Sequence, residues 1–495
     1  MFNRKKLLSL SLAIITAFTI FPSTTAFACT TVLVGKKATT DGSTIMARNE
    51  DSDSANPKIV QVHEATTNPK GATFNSKVND FSFELPQNAQ RYTSTPEWTD
   101  ESGVYEEAGT NSSGVAMTAT ETISYNKKIE KLDPVNEKDG IMEEAMVTCV
   151  LPYIKSAKDG VNFLGNIVTK YGSAELNGIG FSDQNDVWWM EIVSGHHWVA
   201  QRIPDNKYAV IANQTAIRDV DLTDAANFMC DENFIAFVRD NKLADDPEKL
   251  NIRDVFGTNN KDDAIYNICR VWDGQRILNP STKNKYSITS KKLPFLRKPD
   301  SKISVHDVAT VLRSHYNGTK YDPYTNAKSN YRPIMVQQTM ESHIIQWRPN
   351  MPAEISGIQW QALGTPEHSI YIPLYSGITD VAPELKNAAT ADNPTYDNAY
   401  WIFKTTDVLS TPYYKTYMKK YVNPTFTTIE KQLDENIKAS DEKAIELYKS
   451  NPTDKETLLN YLTEESKKNA DYTLKKVIKL NNKMFIKSTN ARNMK

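Results

Sequence analysis

The stretch from residue 29 to 51 sets the first constraint on this chain. Cys29-Thr30-Thr31-Val32-Leu33-Val34-Gly35 is β-branched and apolar, and reads as a strand. Asp41-Gly42-Ser43 carries turn chemistry, and Ser43-Thr44-Ile45-Met46-Ala47 reads as a second strand returning antiparallel. Such a hairpin brings Arg48-Asn49-Glu50-Asp51 back beside Cys29. Further along, strand-like runs at 187–193 and 208–212 alternate with helical apolar spacing at 142–153, 156–171 and 304–315. Asp159-Gly160 and Asp183-Gln184-Asn185-Asp186 read as punctuation between them.

With 495 residues the chain has material for one large domain, or two or three ordinary ones, and a sizeable core. Aromatics at 10% are too many for a disordered chain, and 19 Gly and 23 Pro are too few for a collagen-like one. Basic and acidic side chains nearly balance, 58 against 60, which excludes a strongly basic nucleic-acid binder. Trp188-Trp189 and Trp198, with no basic stripe beside them, therefore read as core or pocket wall. From about residue 425 Lys, Glu, Asn and Leu dominate; 428–450 and 455–483 read as amphipathic helices broken at Asn451-Pro452-Thr453. The mixed charge of this tail argues against a membrane-surface role; packing over the rest of the chain, oligomer contacts and a solvated extension are the readings left, and packing is the one expected.

Residues 1–28 read as an export signal. Arg4, Lys5 and Lys6 form a positive start, 7–21 an apolar run diluted by Ser and Thr, and Ala26-Phe27-Ala28 a small-x-small cleavage pattern. The run is shorter than the ~20 residues a membrane span needs, and no later segment is long and apolar enough. Cleavage after Ala28 would place Cys29 first in a secreted or cell-wall protein. A cysteine there has three readings: a lipid-anchored protein, a plain structural residue, or an N-terminal nucleophile. Lipid anchoring wants a Leu-like residue at −3 and a small one at −2, where Ala26 and Phe27 stand. Cys149, Cys230 and Cys269 are an odd set, so export permits a disulfide among them but leaves one thiol unpaired.

A cysteine that opens a chain holds both halves of a nucleophilic pair. The thiol, with a pKa of ~8.5, needs a base, and the free α-amine at ~7.7–8.0 hangs from the same Cα. Threonine with its own terminal amine works in this way. No histidine has to be positioned. The seven histidines (63, 196, 197, 306, 315, 343, 368) show no metal-ligand spacing, and adjacent His196 and His197 would point to opposite faces of a strand. There is no C-x-x-C and no Gly-rich phosphate loop, so neither a metal nor a cofactor is expected. Across the hairpin, the Arg48 guanidinium would favour the thiolate, and a carboxylate beside the α-amine would orient it.

The pattern C-T-T-x-L-V-G…D-G-S-x-x-x-A-R-N-E-D resembles the opening of the dipeptidase A family of cysteine peptidases, within the N-terminal-nucleophile (Ntn) hydrolases. Bile salt hydrolases and penicillin V acylases are more distant relatives of that group. The resemblance runs from 29 to about 400 through Arg332-Pro333-Ile334, Gln346-Trp347-Arg348, Gly357-Ile358-Gln359-Trp360 and Tyr371-Ile372-Pro373-Leu374-Tyr375. It implies an α+β, four-layer αββα sandwich as the catalytic domain over 29–400; the amphipathic spacing beyond it adds a mostly helical region at 401–495, expected to pack on that domain. It also implies roles: Cys29 as nucleophile, Arg48 and Asp51 as the flanking R-x-x-D pair, Asn213 as an oxyanion-hole amide, and Arg270 as a second active-site arginine.

One position departs from the amidase relatives. Counting on from Gly109-Thr110-Asn111-Ser112-Ser113-Gly114-Val115-Ala116-Met117, Glu121 stands where they carry another oxyanion asparagine. A carboxylate repels an oxyanion, so Glu121 is expected instead to pair with the free ammonium of a peptide substrate and select free amino ends. The implied function is an exported cysteine dipeptidase working through a thioester. The partner is a dipeptide substrate, with no nucleic acid and no membrane span; homo-oligomerisation is left open. Two alternatives stand beside it: an N-acyl amide hydrolase of the penicillin V acylase or bile salt hydrolase kind, and a lipid-anchored binding protein without chemistry.

Overall fold

The β-branched run after Cys29 forms strand β1 (Thr30–Val34), and the chain returns as β2 (Thr44–Asp51) in the register Thr30↔Asn49 to Val34↔Ile45. Asp41 closes the turn between them, its Oδ1 accepting from the Ser43 amide (3.1 Å) and hydroxyl (2.6 Å). This computed structural model describes residues 29–492 apart from Ser54, Ser102, Ala389 and Asn259; the expected leader, 1–28, lies outside the described residues.

Two sheets grow around the hairpin. Their further strands, in chain order, are β3 (Ala108–Thr110), β4 (Ala116–Thr122), β5 (Asn177–Ser182), β6 (Val187–Ile192), β7 (Trp198–Arg202), β8 (Tyr208–Ile211), β9 (Phe228–Cys230), β10 (Leu296–Arg297), β11 (Thr339–Trp347), β12 (Gly357–Leu363) and β13 (Ile372–Tyr375). One sheet runs β10-β8-β1-β2-β11-β12-β13 and the other β9-β7-β6-β5-β4-β3. Every pairing within them is antiparallel.

Side chains alternate along a strand, so each sheet feeds two cores. Leu33, Met46, Ile211 and Ile345 of the first sheet meet Ala116, Val187, Trp189 and Val199 of the second. The sheets approach so closely that a Cβ on Gly180 would stand 2.8 Å from Met46 Sδ. Outside the second sheet, Met117, Ile179, Phe181 and Met190 pack with α1 (Glu143–Val150) and α2 (Ala157–Tyr171). Helices α3 (Cys269–Leu278) and α4 (Val305–Leu312) lie on the other side of the first sheet, followed by α5 (Ala399–Ser410), α6 (Asn423–Ser450) and α7 (Lys455–Arg492). The architecture is mixed α+β.

Helix α2 begins where Ser156 accepts from the Asp159 amide (3.1 Å). Asp159-Gly160 therefore belongs to a helical first turn and is not the break expected from sequence. Gly160 is used for contact, since a Cβ there would meet the Phe181 ring at 2.4 Å. The C-terminal helices share one apolar cluster with the sheet: Leu433, Leu462, Leu474 and Leu480 join Val32, Ile344 and Leu374. Arg348 and Tyr375 also both reach Asp441 of α6. Among the described residues, no helix is long and apolar enough to cross a membrane. Cys29, Cys149, Cys230 and Cys269 are all unbridged.

Candidate active site

Cys29 stands at the end of β1, between two strands. The register Thr30↔Asn49, continued by one residue, puts Glu50 of β2 opposite it. The register Thr31↔Ile211, continued by two, puts Asn213 opposite it on the β8 side. Alternation along β2 then separates its polar end into two sets. Arg48 and Glu50 turn toward the second sheet; Asn49 turns to the helix side, where its Nδ2 donates to the Leu312 carbonyl (2.8 Å).

Arg48 is fully buried and contacts Cys29 directly. Its Nη1 donates to Cys29 Sγ (3.4 Å) and to the Thr120 carbonyl (2.5 Å); its Nη2 donates to the Ala119 carbonyl (2.9 Å) and to the Glu107 carboxylate. Glu143, at the start of α1, lies 3.8 Å from Nη1. Asp51 is not the ion-pair partner of Arg48. Its carboxylate takes Arg332 Nη2 (2.8 Å) and the Thr339 hydroxyl (2.5 Å). The two residues that the sequence brackets as one pair thus belong to two buried ion pairs, with Cys29 between them.

Arg270 is buried too, although it lies on a helix. Its Nη1 donates to the Cys29 backbone carbonyl and to Thr30 Oγ1 (3.0 Å); its Nη2 donates to Asn213 Oδ1 (2.7 Å) and Asn267 Oδ1 (2.9 Å). Arg270 thereby takes Oδ1 of the half-buried Asn213 and fixes which way its amide faces.

Glu121 sits on β4 just past a bulge between Ala119 and Glu121. Its Oε1 accepts from Thr31 Oγ1 (2.7 Å), while its Oε2 has no hydrogen-bond partner among the described residues. Burial pushes its pKa up to about 8, against the pull of Arg270, the Thr31 hydrogen bond and Arg48. Near neutral pH the carboxyl is therefore mostly protonated.

The Cys29 thiol is likewise held well above its ordinary range. Burial is the largest cause; Arg48 pulls it down, and Glu121, Glu143 and Asp51 push it further up. The guanidinium expected from sequence is in place, but desolvation outweighs it, so the resting sulfur is held as a thiol. Among the described residues no histidine hydrogen-bonds to Cys29. Buried His343 is held by Glu341 (2.9 Å) and Thr118 (3.0 Å), and His196 and His197 are bound to Asp133 (2.8 Å) and Asp231 (3.0 Å).

A cavity of about 190 Å³ opens at Cys29. Glu50, Asp51, Glu107 and Glu143 form its buried floor, with half-buried Tyr105 beside them and Asp53 and Glu97 nearer the solvent. A larger cavity of about 450 Å³, between α3, α4 and α6, contains none of these residues. Glu107, Glu143 and Lys58 are absent from the sequence-derived site, because only the tertiary fold brings them to Cys29. Lys58 is fully buried and donates from Nζ to Glu50 Oε1 (3.0 Å) and the Tyr105 carbonyl (3.1 Å). Glu50 could have been found, since it lies two residues from Arg48 on one strand.

The sequence model of peptidase family C69 matches residues 28–425, a span that holds every residue of this site. The chain belongs to peptidase family C69. Like others in that family it is a peptidase, and so a hydrolase. A probable dipeptidase of Latilactobacillus sakei is 44% identical to this C69 peptidase over 380 residues, covering 76% of this chain and 79% of that protein. Probable dipeptidase B of Lactococcus lactis subsp. lactis (strain IL1403) is 39% identical over 440 residues, 86% and 91% of the two chains. Probable dipeptidase A of Streptococcus pyogenes serotype M3 (strain SSI-1) is 37% identical over 472 residues, 94% and 98% of the two chains.

Proposed function

We propose that this C69 peptidase is an exported cysteine dipeptidase that uses Cys29 as an N-terminal nucleophile on the αββα fold of the Ntn hydrolases. The observation that carries this reading is the surroundings of Cys29: Arg48 on its sulfur, Arg270 on its carbonyl, Asn213 held by Arg270, and no histidine bonded to it among the described residues. A buried thiol without a histidine needs another base. The α-amine on its own Cα, freed by cleavage after Ala28, is within reach by covalent construction. Two antiparallel sheets packed face to face, with helices outside each, support the fold assignment. The names of the relatives support dipeptides as substrates.

The steps follow from these groups. The amine takes the thiol proton as Sγ bonds to the peptide carbonyl carbon, and the carbonyl π pair moves to oxygen. Asn213 Nδ2 and a backbone N–H receive that oxyanion. When the tetrahedral intermediate collapses, the C–N bond breaks and the Cys29 ammonium gives its proton to the departing nitrogen, leaving a thioester on Sγ. Water then loses a proton to the amine and adds to the thioester carbonyl. The C–S bond breaks, the free acid leaves, and the thiolate recovers its proton. Arg48 steadies the sulfur in its anionic moments.

An N-acyl amide hydrolase would have to bring an uncharged acyl group into a cavity lined by six carboxyl side chains, which suits a free amine far better. The test is dipeptide hydrolysis by mature protein and by its Cys29→Ala variant. Complete loss in the variant supports the reading, and undiminished activity overturns it. Cys29→Ser is less clean, because a hydroxyl can sometimes replace the thiol.

A further inference from the structure

We propose that Glu50 and Glu143, on the cavity floor beside Cys29, bind the α-ammonium of the substrate and so restrict the enzyme to peptides with a free amino end. This inference rests on the dipeptidase reading above. Covalent geometry motivates it. In a dipeptide the attacked carbonyl belongs to the amino-terminal residue, so the ammonium nitrogen lies only ~2.5 Å from the carbonyl carbon that Sγ attacks. Whatever binds that ammonium must therefore lie next to Cys29.

The cavity is built for a cation that its own side chains do not supply. Six carboxyl side chains line it, and among the described residues no Lys or Arg does. The neighbouring cations are already engaged: Arg48 with Glu107, Lys58 with Glu50 Oε1 (3.0 Å), and Arg332 with Asp51 (2.8 Å). Glu50 is 5% exposed, yet its Oε2 has no hydrogen-bond partner among the described residues. An unpaired buried carboxylate oxygen is costly, and an ammonium with three N–H donors is the group that satisfies it.

Glu143 accepts the Thr120 amide at Oε1 (3.1 Å) and stands 3.8 Å from Arg48. Burial, followed by repulsion from Glu107, raises both Glu50 and Glu143 well above the ordinary carboxyl range. A cation between them would relieve that repulsion. The segment that carries Tyr105 and Glu107 into the lining is held under strain, with φ +44° and +53°, where side chains other than glycine rarely stand. Arg48, Lys58 and Arg332 answer Glu107, Glu50 and Asp51, and a protonated amine on Cys29 itself would add one more cation for the three further carboxyl groups that line the cavity. Glu121, the ammonium partner expected from sequence, also keeps its Oε2 without a hydrogen-bond partner among the described residues, but unlike Glu50 and Glu143 it does not line the cavity, so the ammonium is placed at those two.

The experiment uses the mature enzyme with alanyl-alanine, its amine-free isostere propionyl-alanine, and alaninol as a non-cleavable ammonium probe. Wild-type enzyme should strongly prefer alanyl-alanine, and alaninol should protect Cys29 from alkylation by iodoacetamide. Glu50→Gln and Glu143→Gln should each weaken alaninol protection and lower kcat/KM for alanyl-alanine roughly 10- to 100-fold, mainly through KM. Equal losses on both substrates with alaninol protection intact would overturn the inference. So would a collapse of the preference in Glu121→Gln but not in the other two variants. Wild-type enzyme that leaves alanyl-alanine uncut, or Cys29→Ala enzyme that still cuts it, would instead remove the dipeptidase reading.

Discussion

Arg270 donates a hydrogen bond to the backbone carbonyl of Cys29, 241 positions earlier in the chain, and holds Asn213 Oδ1 at 2.7 Å with its other terminal nitrogen. One planar guanidinium thereby fixes both the backbone of Cys29 and the orientation of the amide beside it. Lysine keeps the charge but cannot make this fork. Arg270→Lys should therefore lower kcat for a dipeptide by roughly 10²–10³-fold, the scale of losing an oxyanion donor, in steady-state assays. A change within threefold would mean that the fork is only structural.

Asn213→Ala removes the proposed oxyanion donor itself. The oxyanion exists only in the transition state and intermediates, so the loss should fall on kcat, roughly 10²–10³-fold, with KM little changed. A rise in KM at constant kcat would instead make Asn213 a substrate-binding residue.

Glu121 makes a pH-dependent contribution to stability. Its folded pKa of about 8 lies above the ordinary carboxyl value of 4.5, so the native state binds its proton more tightly than the unfolded chain does. Its stabilisation is whole below about pH 4.5, shrinks as pH rises, and is spent above about pH 8. Glu121→Gln cannot ionise. Urea melts across that range should show wild type losing stability relative to the variant as pH rises, and parallel curves would contradict the burial argument.

The C-terminal helices belong to the core of the first sheet. Leu462 of α7 is fully buried, and its Cδ1 lies 3.0 Å from where a Cβ on Gly377, just after β13, would stand. Leu462→Ala should destabilise the whole protein by about 2–5 kcal/mol in a single unfolding transition. A separate early transition, with activity retained, would show instead that the tail unfolds independently.

What was legible in the sequence follows from range. The β1–β2 hairpin rests on β-branched residues flanking Asp41-Gly42-Ser43, and α2 on apolar spacing between Ser156 and Tyr171; both are local signals. Membership of the peptidase family was readable from motifs, because blocks such as C-T-T-x-L-V-G and A-R-N-E-D keep their spacing along the chain. Partners were harder. Arg48 and Asp51 are three residues apart on a strand, so alternation alone argues against a direct pair, and their true partners Glu107 and Arg332 arrive from distant segments. The acid excess around Cys29 was hidden for the same reason. Glu50 lies on β2, Glu143 at the start of α1 and Glu107 in the loop before β3, and a near-neutral total charge gives no hint of a local surplus.

The most direct test is the intact mass of the secreted, active protein. The N-terminal-nucleophile mechanism predicts a chain that starts at Cys29 with an unmodified amine and thiol. A fully active chain that begins at any other residue, or one whose Cys29 carries a lipid, would contradict it.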